Sequence, residues 1–277
     1  MLTFIGLGLY DERSITVEGK EALGEVDRAF AEFYTSKLVG TTIEAVSDYH
    51  GIDIEVRDRE GVEQHPEPIL DAAEEESVAF LTAGDTMIST THVDLRLRAA
   101  ERGIETRIIH GTTAEAAASS LTGLQNYRFG KATTLPFPYT ESMGVPQSVI
   151  DTIEDNRERG LHTLCYLDIK VGETPTGNRN FVNSADKSDR DEFMTADVAA
   201  SLLADDWDPA MLAVVVARAG SPDPIVAADR LAALAERDFG EPLHLLVIPG
   251  DLHHMEGEAL AELAGAPRDA VSELNPN

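Results

Sequence analysis

Cysteine is nearly absent, with Cys165 the only one in 277 residues. A single thiol excludes an intramolecular disulfide framework and a cysteine-rich zinc site. Its setting in Leu164-Cys165-Tyr166-Leu167 reads as that of a small buried hydrophobe. Lysine is almost as scarce: only positions 20, 37, 131, 170 and 187 carry it, among 22 Lys and Arg in all. Against 50 Asp and Glu this leaves a formal net charge of −28. The few cations are scattered along the chain, so no basic face exists to neutralise nucleic-acid phosphates or to hold an anionic membrane. No apolar run approaches the roughly 20 residues of a membrane span. The start, Met1-Leu2-Thr3-Phe4-Ile5-Gly6, lacks the basic region of a secretion signal, and the cytoplasm is the expected compartment.

Several catalytic signatures are missing as well. There is no Gly-x-x-x-x-Gly-Lys-Ser/Thr phosphate loop, no Gly-x-Ser-x-Gly nucleophile elbow and no His-Glu-x-x-His zinc helix. The adjacent pair His253-His254 cannot easily turn both rings to one ion, and no metal is expected.

What is present is 43% hydrophobic residues in periodic runs, enough to bury a core, so the charge is not a sign of disorder. Hydrated carboxylates keep a protein soluble where concentrated salt screens repulsion, the Debye length at 1 M being about 3 Å. The composition therefore points to a salt-adapted protein.

The first half alternates strands and helices. Leu2 to Leu7, Arg28 to Tyr34, Ile52 to Val56, Val78 to Leu81 and Ile104 to Ile109 read as strands. Thr16 is placed to cap a helix running to about Val26, and Thr41-Thr42-Ile43-Glu44 has capping-box spacing for a helix toward His50. Another helix ends near Arg102, before Gly103. Strands separated by helices need crossover connections, so a mainly parallel sheet with helices on both faces is expected.

In the second half, helices are expected at Ala114 to Leu121, Gln147 to Arg159, Ala196 to Ala204, Ala227 to Arg237 and Glu256 to Ala264. Strands are expected at Ala132 to Leu135, His162 to Ile169, Met211 to Ala217 and His244 to Ile248. The fold class is α/β, with two α/β domains of mainly parallel or mixed sheets flanked by helices. The boundary is set at 1–111 and 112–277. A polar stretch of about 171–193, without apolar periodicity, reads as a surface loop.

Two glycine turns follow strands, Gly6-Leu7-Gly8-Leu9-Tyr10-Asp11 and Thr82-Ala83-Gly84-Asp85. Ligands of open α/β sheets bind outside the carboxyl ends of the strands. A dinucleotide fingerprint would need a third glycine where Asp11 stands and a helix beginning at once. Asp85 has two readings, as an acceptor for a ligand's amine or hydroxyls and as a cap of the following helix. His110 and His244 each sit beside a strand end and read either as cleft residues or as satisfied structural histidines. From the residues alone the chain is a two-domain α/β protein with a cleft for a small organic ligand.

The blocks Phe4-Ile5-Gly6-Leu7-Gly8-Leu9-Tyr10-Asp11-Glu12-Arg13, Ala31-Glu32-Phe33-Tyr34-Thr35-Ser36, Thr82-Ala83-Gly84-Asp85, Leu167-Asp168-Ile169-Lys170, Arg218-Ala219-Gly220-Ser221 and Gly250-Asp251-Leu252-His253 resemble the diphthine synthases. These belong to the tetrapyrrole-methylase-like methyltransferases, and the resemblance spans nearly the whole chain. It implies methyl transfer from S-adenosyl-L-methionine, with S-adenosyl-L-homocysteine as product. The acceptor would be the amino group of a 3-amino-3-carboxypropyl histidine on translation elongation factor 2, in diphthamide biosynthesis.

It also implies a homodimer, with the cofactor in a cleft between the two domains. Carried over by matching motif, the cofactor contacts are Leu9, Asp85, Ile88, Thr113, Ala114, Leu167, Ala219 and His244. No general base is assigned. Two features depart from the family: Ala83 replaces the proline of a Pro-Gly-Asp turn, and the polar stretch reads as an insertion. Two alternatives stay open: a superfamily methylase acting on a corrinoid or porphyrin ring, and a cofactor-binding regulator without catalysis.

Overall fold

The computed structural model describes residues 1–138, 144–170 and 191–275. They form two compact units, Met1–Thr113 with Asp191, and Ala114–Lys170 with residues 192–275.

The first unit runs β1 (Leu2–Gly6), α1 (Val17–Leu23), β2 (Arg28–Glu32), α2 (Ile43–His50), β3 (Ile54–Val56), α3 (Arg59–Glu63), α4 (Glu67–Glu75), β4 (Val78–Thr82), α5 (Val93–Glu101) and β5 (Thr106–Ile109). Its sheet has the order β3-β2-β4-β1-β5, and every pair is parallel. Side chains alternate between faces along each strand. Leu2, Phe4, Phe30, Val78 and Phe80 pack with Ile69 and Leu70 of α4 and Leu95 of α5. Ile5, Ala29, Ala31, Ala79 and Leu81 pack on the other face with Leu23 of α1 and Val46 of α2. Both faces are covered, which is why these strands read as continuous apolar runs.

Among the described residues, side-chain caps account for three of the five helix starts in this unit. Thr16 caps α1 through Oγ1, which accepts the Gly19 N–H at 3.0 Å. The cap of α2 is Thr42, accepting from Ala45 at 3.2 Å, one residue later than the Thr41 spacing suggests. The helices α3 and α4 were not expected; α3 opens on Asp58, whose Oδ1 accepts the Gly61 N–H at 2.7 Å.

The second unit runs α6 (Ala114–Thr122), a 3-10 turn (Asn126–Arg128), β6 (Thr133–Leu135), α7 (Gln147–Glu158), β7 (Thr163–Leu167), β8 (Ile169–Lys170), β9 (Glu192–Phe193), α8 (Ala196–Asp206), β10 (Leu212–Ala217), β11 (Ile225–Arg230), α9 (Leu231–Leu234), β12 (His244–Ile248), α10 (His254–Leu263) and α11 (Arg268–Glu273). Its main sheet, β11-β10-β12-β7-β6, is mixed: only β6 and β7 are parallel. Cys165, Val215 and Leu246 face α7 and α8. Leu164, Val214 and Val247 face α6 and α10.

The helix expected over Ala227 to Arg237 is a correction. Ile225–Arg230 is an antiparallel strand on β10, and only Leu231–Leu234 is helical. Alanine favours helix intrinsically, but Ala227 and Ala228 alternate into the two apolar clusters, and that packing overrides propensity. Most of the polar stretch, 171–190, lies outside the described residues; its end forms β9, paired antiparallel with β8.

Candidate functional site

In the first unit three backbone turns meet at the carboxyl ends of β1, β4 and β5. Gly8 and Gly84 exchange hydrogen bonds, Gly8 N–H to Gly84 O at 3.1 Å and Gly84 N–H to Gly8 O at 2.7 Å. Both have positive φ, 75° and 78°, which glycine adopts without the strain a Cβ adds. Gly111, after β5, completes the group. A Cβ on Gly6 would lie 2.5 Å from Gly111 N and 2.6 Å from Gly84 O, and one on Gly111 would strike Gly84 O and Gly6. The glycines are thus required by one another, and their approach leaves backbone rather than side chains at the strand ends.

Asp85 ties these turns together. Its Oδ1 accepts the Met87 N–H at 2.9 Å, and its Oδ2 accepts the Gly111 N–H at 3.2 Å and lies 2.8 Å from His110 Nδ1. The carboxylate is buried while the His110 ring is largely exposed. Asp85 does not cap the next helix, which begins at Val93 behind His92. It organises its own turn and fastens β4 to β5. Thr82 and Thr86 lie on either side of it. Both are buried, and their hydroxyls have no hydrogen-bond partner among the described residues.

The first turn closes on itself beyond Gly8. Ser14 Oγ donates to Asp11 Oδ1 at 3.1 Å, and the Arg13 N–H reaches the same oxygen at 3.0 Å. Tyr10 has φ of 99°, an unusual conformation for a residue with a Cβ. Its carbonyl accepts the Gly40 N–H at 2.8 Å, and a Cβ on Gly40 would strike its ring. The loops after β1 and β2 therefore hold each other.

The carried-over contacts fall as follows. Leu9 is half-buried inside the first turn, Asp85 is buried, Ile88 is 45% exposed, and Thr113 stands just before α6. In the second unit Ala114 opens α6, Leu167 ends β7 and is buried, Ala219 follows β10, and His244 opens β12. The His244 ring is fully engaged: Nδ1 accepts the Ala196 N–H at 3.1 Å, at the start of α8, and Nε2 donates to Glu241 O at 2.9 Å. Burial pushes its imidazole down, so it is neutral. What is left for a ligand there is backbone.

Beside it, Arg218 at φ 50° donates through Nη1 to Phe239 O at 2.8 Å, and its N–H bonds Leu243 O at 2.8 Å. This links the turn bearing Ala219 to the segment entering β12. Nothing in the sequence marked Arg218 beyond its place in a motif, because its partners are carbonyls about twenty residues away.

Cys165 is fully buried, and burial pushes its thiol up to about 12, far from a working nucleophile. Among the described residues no three His, Cys, Asp or Glu side chains gather as a metal-binding group. No helix among them is long and apolar enough to cross a membrane.

Glycine turns that bring main chain and a buried carboxylate together at the carboxyl ends of the strands stand where α/β folds bind small organic ligands. A family profile described as Tetrapyrrole (Corrin/Porphyrin) Methylases matches residues 1–235. The chain belongs to that family. It is 72% identical over 274 residues to the diphthine synthase of Halorubrum lacusprofundi, covering 99% of this chain and 100% of that one. It is 69% identical to the diphthine synthase of Natronomonas pharaonis, with 98% of each chain covered. A solved structure described as diphthine synthase superposes with a TM-score of 0.83 at 37% identity, covering 98% of each chain.

Proposed function

We propose that this chain is an S-adenosyl-L-methionine-dependent methyltransferase of diphthamide biosynthesis. It methylates the amino group of a 3-amino-3-carboxypropyl histidine on translation elongation factor 2 to form diphthine. The observation that carries the reading is the 72% identity, end to end, with a relative named diphthine synthase. That identity runs over 99% of this chain and 100% of the relative. The ring-methylase and regulator alternatives have no comparable support.

The residues fit the cofactor. Glycines 6, 8, 84 and 111 bring main chain to the strand ends, and the unpartnered hydroxyls of Thr82 and Thr86 leave polar capacity in the same place. Leu9, Asp85, Ile88, Thr113, Ala114, Leu167, Ala219 and His244 are the proposed contacts. When bound, the cofactor supplies a methyl group already made electrophilic by its sulfonium. The protein's task is then to hold an unprotonated amine in line with it, and orientation alone can supply a large share of the acceleration. Desolvation of the bound acceptor disfavours the ammonium and so helps free the amine.

The enzyme is further proposed to act as a homodimer in the cytoplasm, and its adaptation to concentrated salt is proposed from the net charge of −28.

The test is partition of a labelled methyl group. The protein is incubated at high KCl with methyl-labelled S-adenosyl-L-methionine and, in parallel, with modified elongation factor 2, unmodified elongation factor 2 and a precorrin. Label on the modified factor alone is the expected result. Label on the precorrin, or on nothing, overturns the reading.

A further inference from the structure

The carboxyl ends of β2 and β4 lie side by side, with Glu32 opposite Thr82 in the parallel register. Glu32 is fully buried, two residues beyond Phe30 and hence on the same sheet face. Its Oε2 accepts the backbone N–H groups of Tyr34 and Thr35, each at 3.0 Å, and its Oε1 accepts the Thr35 hydroxyl. At 3.5 Å from Oε1 lies Nε2 of His92, itself 1% exposed, in a ring held edge-on by Phe80 at 5.0 Å and Tyr34 at 6.4 Å. The other ring nitrogen, Nδ1, is 3.1 Å from the Thr86 carbonyl oxygen.

These contacts constrain where the protons are. A carbonyl only accepts, so Nδ1 carries hydrogen, and in a neutral ring Nε2 is then a bare lone pair. That lone pair faces a carboxyl oxygen and has no hydrogen-bond partner among the described residues. Two lone pairs buried face to face are unfavourable unless a proton lies between them. It can sit on the ring, giving an ion pair, or on the carboxyl. Burial pushes the Glu32 carboxyl up, against the hydrogen bonds from Thr35 and Tyr34, and pushes the His92 imidazole down. Both directions favour the neutral arrangement. The surrounding charges do not reverse this: Arg59 of α3 lies over the Tyr34 ring at 5.0 Å, but Asp58 and Glu63 flank it, and Asp85 stands on the adjoining turn.

We propose that Glu32 is held protonated and donates to His92 Nε2. His92 then acts, through Nδ1–H to the Thr86 carbonyl, as the positioning residue for the Gly84-Asp85-Thr86 turn. The relay couples the loop after β2 to the turn after β4, so that the turn is fixed from beneath by a neutral chain of donors. This rests on the reading of that turn as part of the S-adenosyl-L-methionine site.

The test combines the affinity for S-adenosyl-L-homocysteine, thermal melting and nitrogen-15 spectra of the histidine rings. In the unsubstituted protein His92 is expected to be neutral with hydrogen on Nδ1. Glu32→Gln offers an amide N–H to the same edge and an amide oxygen to Tyr34 and Thr35, and is expected to keep the affinity within about twofold. Glu32→Ala and His92→Phe remove the relay and are expected to lose about tenfold, the worth of one hydrogen bond. An imidazolium spectrum for His92, or a Glu32→Gln loss equal to that of Glu32→Ala, overturns the protonated carboxyl. A folded His92→Phe that binds normally overturns the positioning role; if it does not fold, Glu32→Ala against Glu32→Gln decides. Failure of the unsubstituted protein to bind the ligand at all refutes the site reading, and the positioning role with it, while the ring spectrum still decides where the proton is.

Discussion

At the residue scale, the glycines and Asp85 carry the site. A Cβ at Gly111 has no free space, since Gly84 O and the backbone of Gly6 occupy it. Gly111→Ala is therefore expected to destabilise the first unit by about 1–3 kcal/mol, as overpacking does, and to weaken S-adenosyl-L-homocysteine binding. Calorimetry and a melting curve check this; unchanged affinity would remove Gly111 from the site. Asp85→Ala takes an acceptor from the Gly111 and Met87 N–H groups and leaves His110 unpaired. It is expected to lower cofactor affinity about tenfold or more, each hydrogen bond to a charged group being worth about 1.5–3 kcal/mol.

Glu256 is the corresponding fixed point of the second unit. Burial pushes its carboxyl up, but the Gln125 and His253 N–H groups and the His162 ring outweigh burial and hold it below its ordinary value. Its contribution to stability is thus complete above the unfolded carboxyl value of about 4.3 and is lost as pH falls through the lower folded value. Glu256→Ala is expected to cost about 3 kcal/mol at neutral pH, measured by urea unfolding, and to flatten the acid limb of the stability curve.

At the element scale, the sequence was most readable where one local signal decided the outcome. The parallel strands of the first unit, buried on both faces, show as apolar runs, and Thr16 announces α1 by the geometry it adopts. It was least readable where pairing decided: nothing in Ile225-Val226-Ala227-Ala228 declares a strand until β10 is beside it. The site divides the same way. The two glycine turns stand in the sequence, whereas the Gly111 approach, the Arg218 clamp and the Glu32–His92 contact join residues far apart in the chain.

Three buried histidines sit within these elements: His92 before α5, His162 before β7 and His244 at the head of β12. Burial pushes each imidazole down. The unfolded chain takes up their protons below about pH 6.5 while the folded one resists, so each contributes stability present above that value and lost on acidification. Glu32, pushed up, acts in the opposite sense above about pH 4.3. With three groups against one, the melting midpoint is expected to fall as pH drops from about 7 to about 5; a flat profile over that range would contradict the neutral burial of the three rings.

At the scale of the whole molecule, the charge of −28 and the site are separate features. Part of the acid is matched in exposed pairs such as Arg230 with Asp269 and Glu273 and Arg102 with Asp71 and Glu74. Exposed pairs of this kind each contribute little. Among the described residues most carboxylates have no cation within ion-pair distance, and their mutual repulsion is what salt relieves. The melting midpoint is therefore expected to rise with KCl concentration, and a midpoint that falls would contradict salt adaptation. The turns that define the site are glycine-built and tied together by the buried Asp85, and their contacts do not depend on that shell.

The central claim, methyl transfer to one modified histidine, is tested most directly by the mass of the peptide that carries it. Elongation factor 2 bearing the 3-amino-3-carboxypropyl group is incubated at high KCl with the enzyme and S-adenosyl-L-methionine, then digested and weighed. A gain of whole methyl groups on that peptide, formed about tenfold or more slowly with Asp85→Ala at limiting cofactor, is the predicted result. An unchanged mass with the unsubstituted enzyme and saturating cofactor would contradict the account.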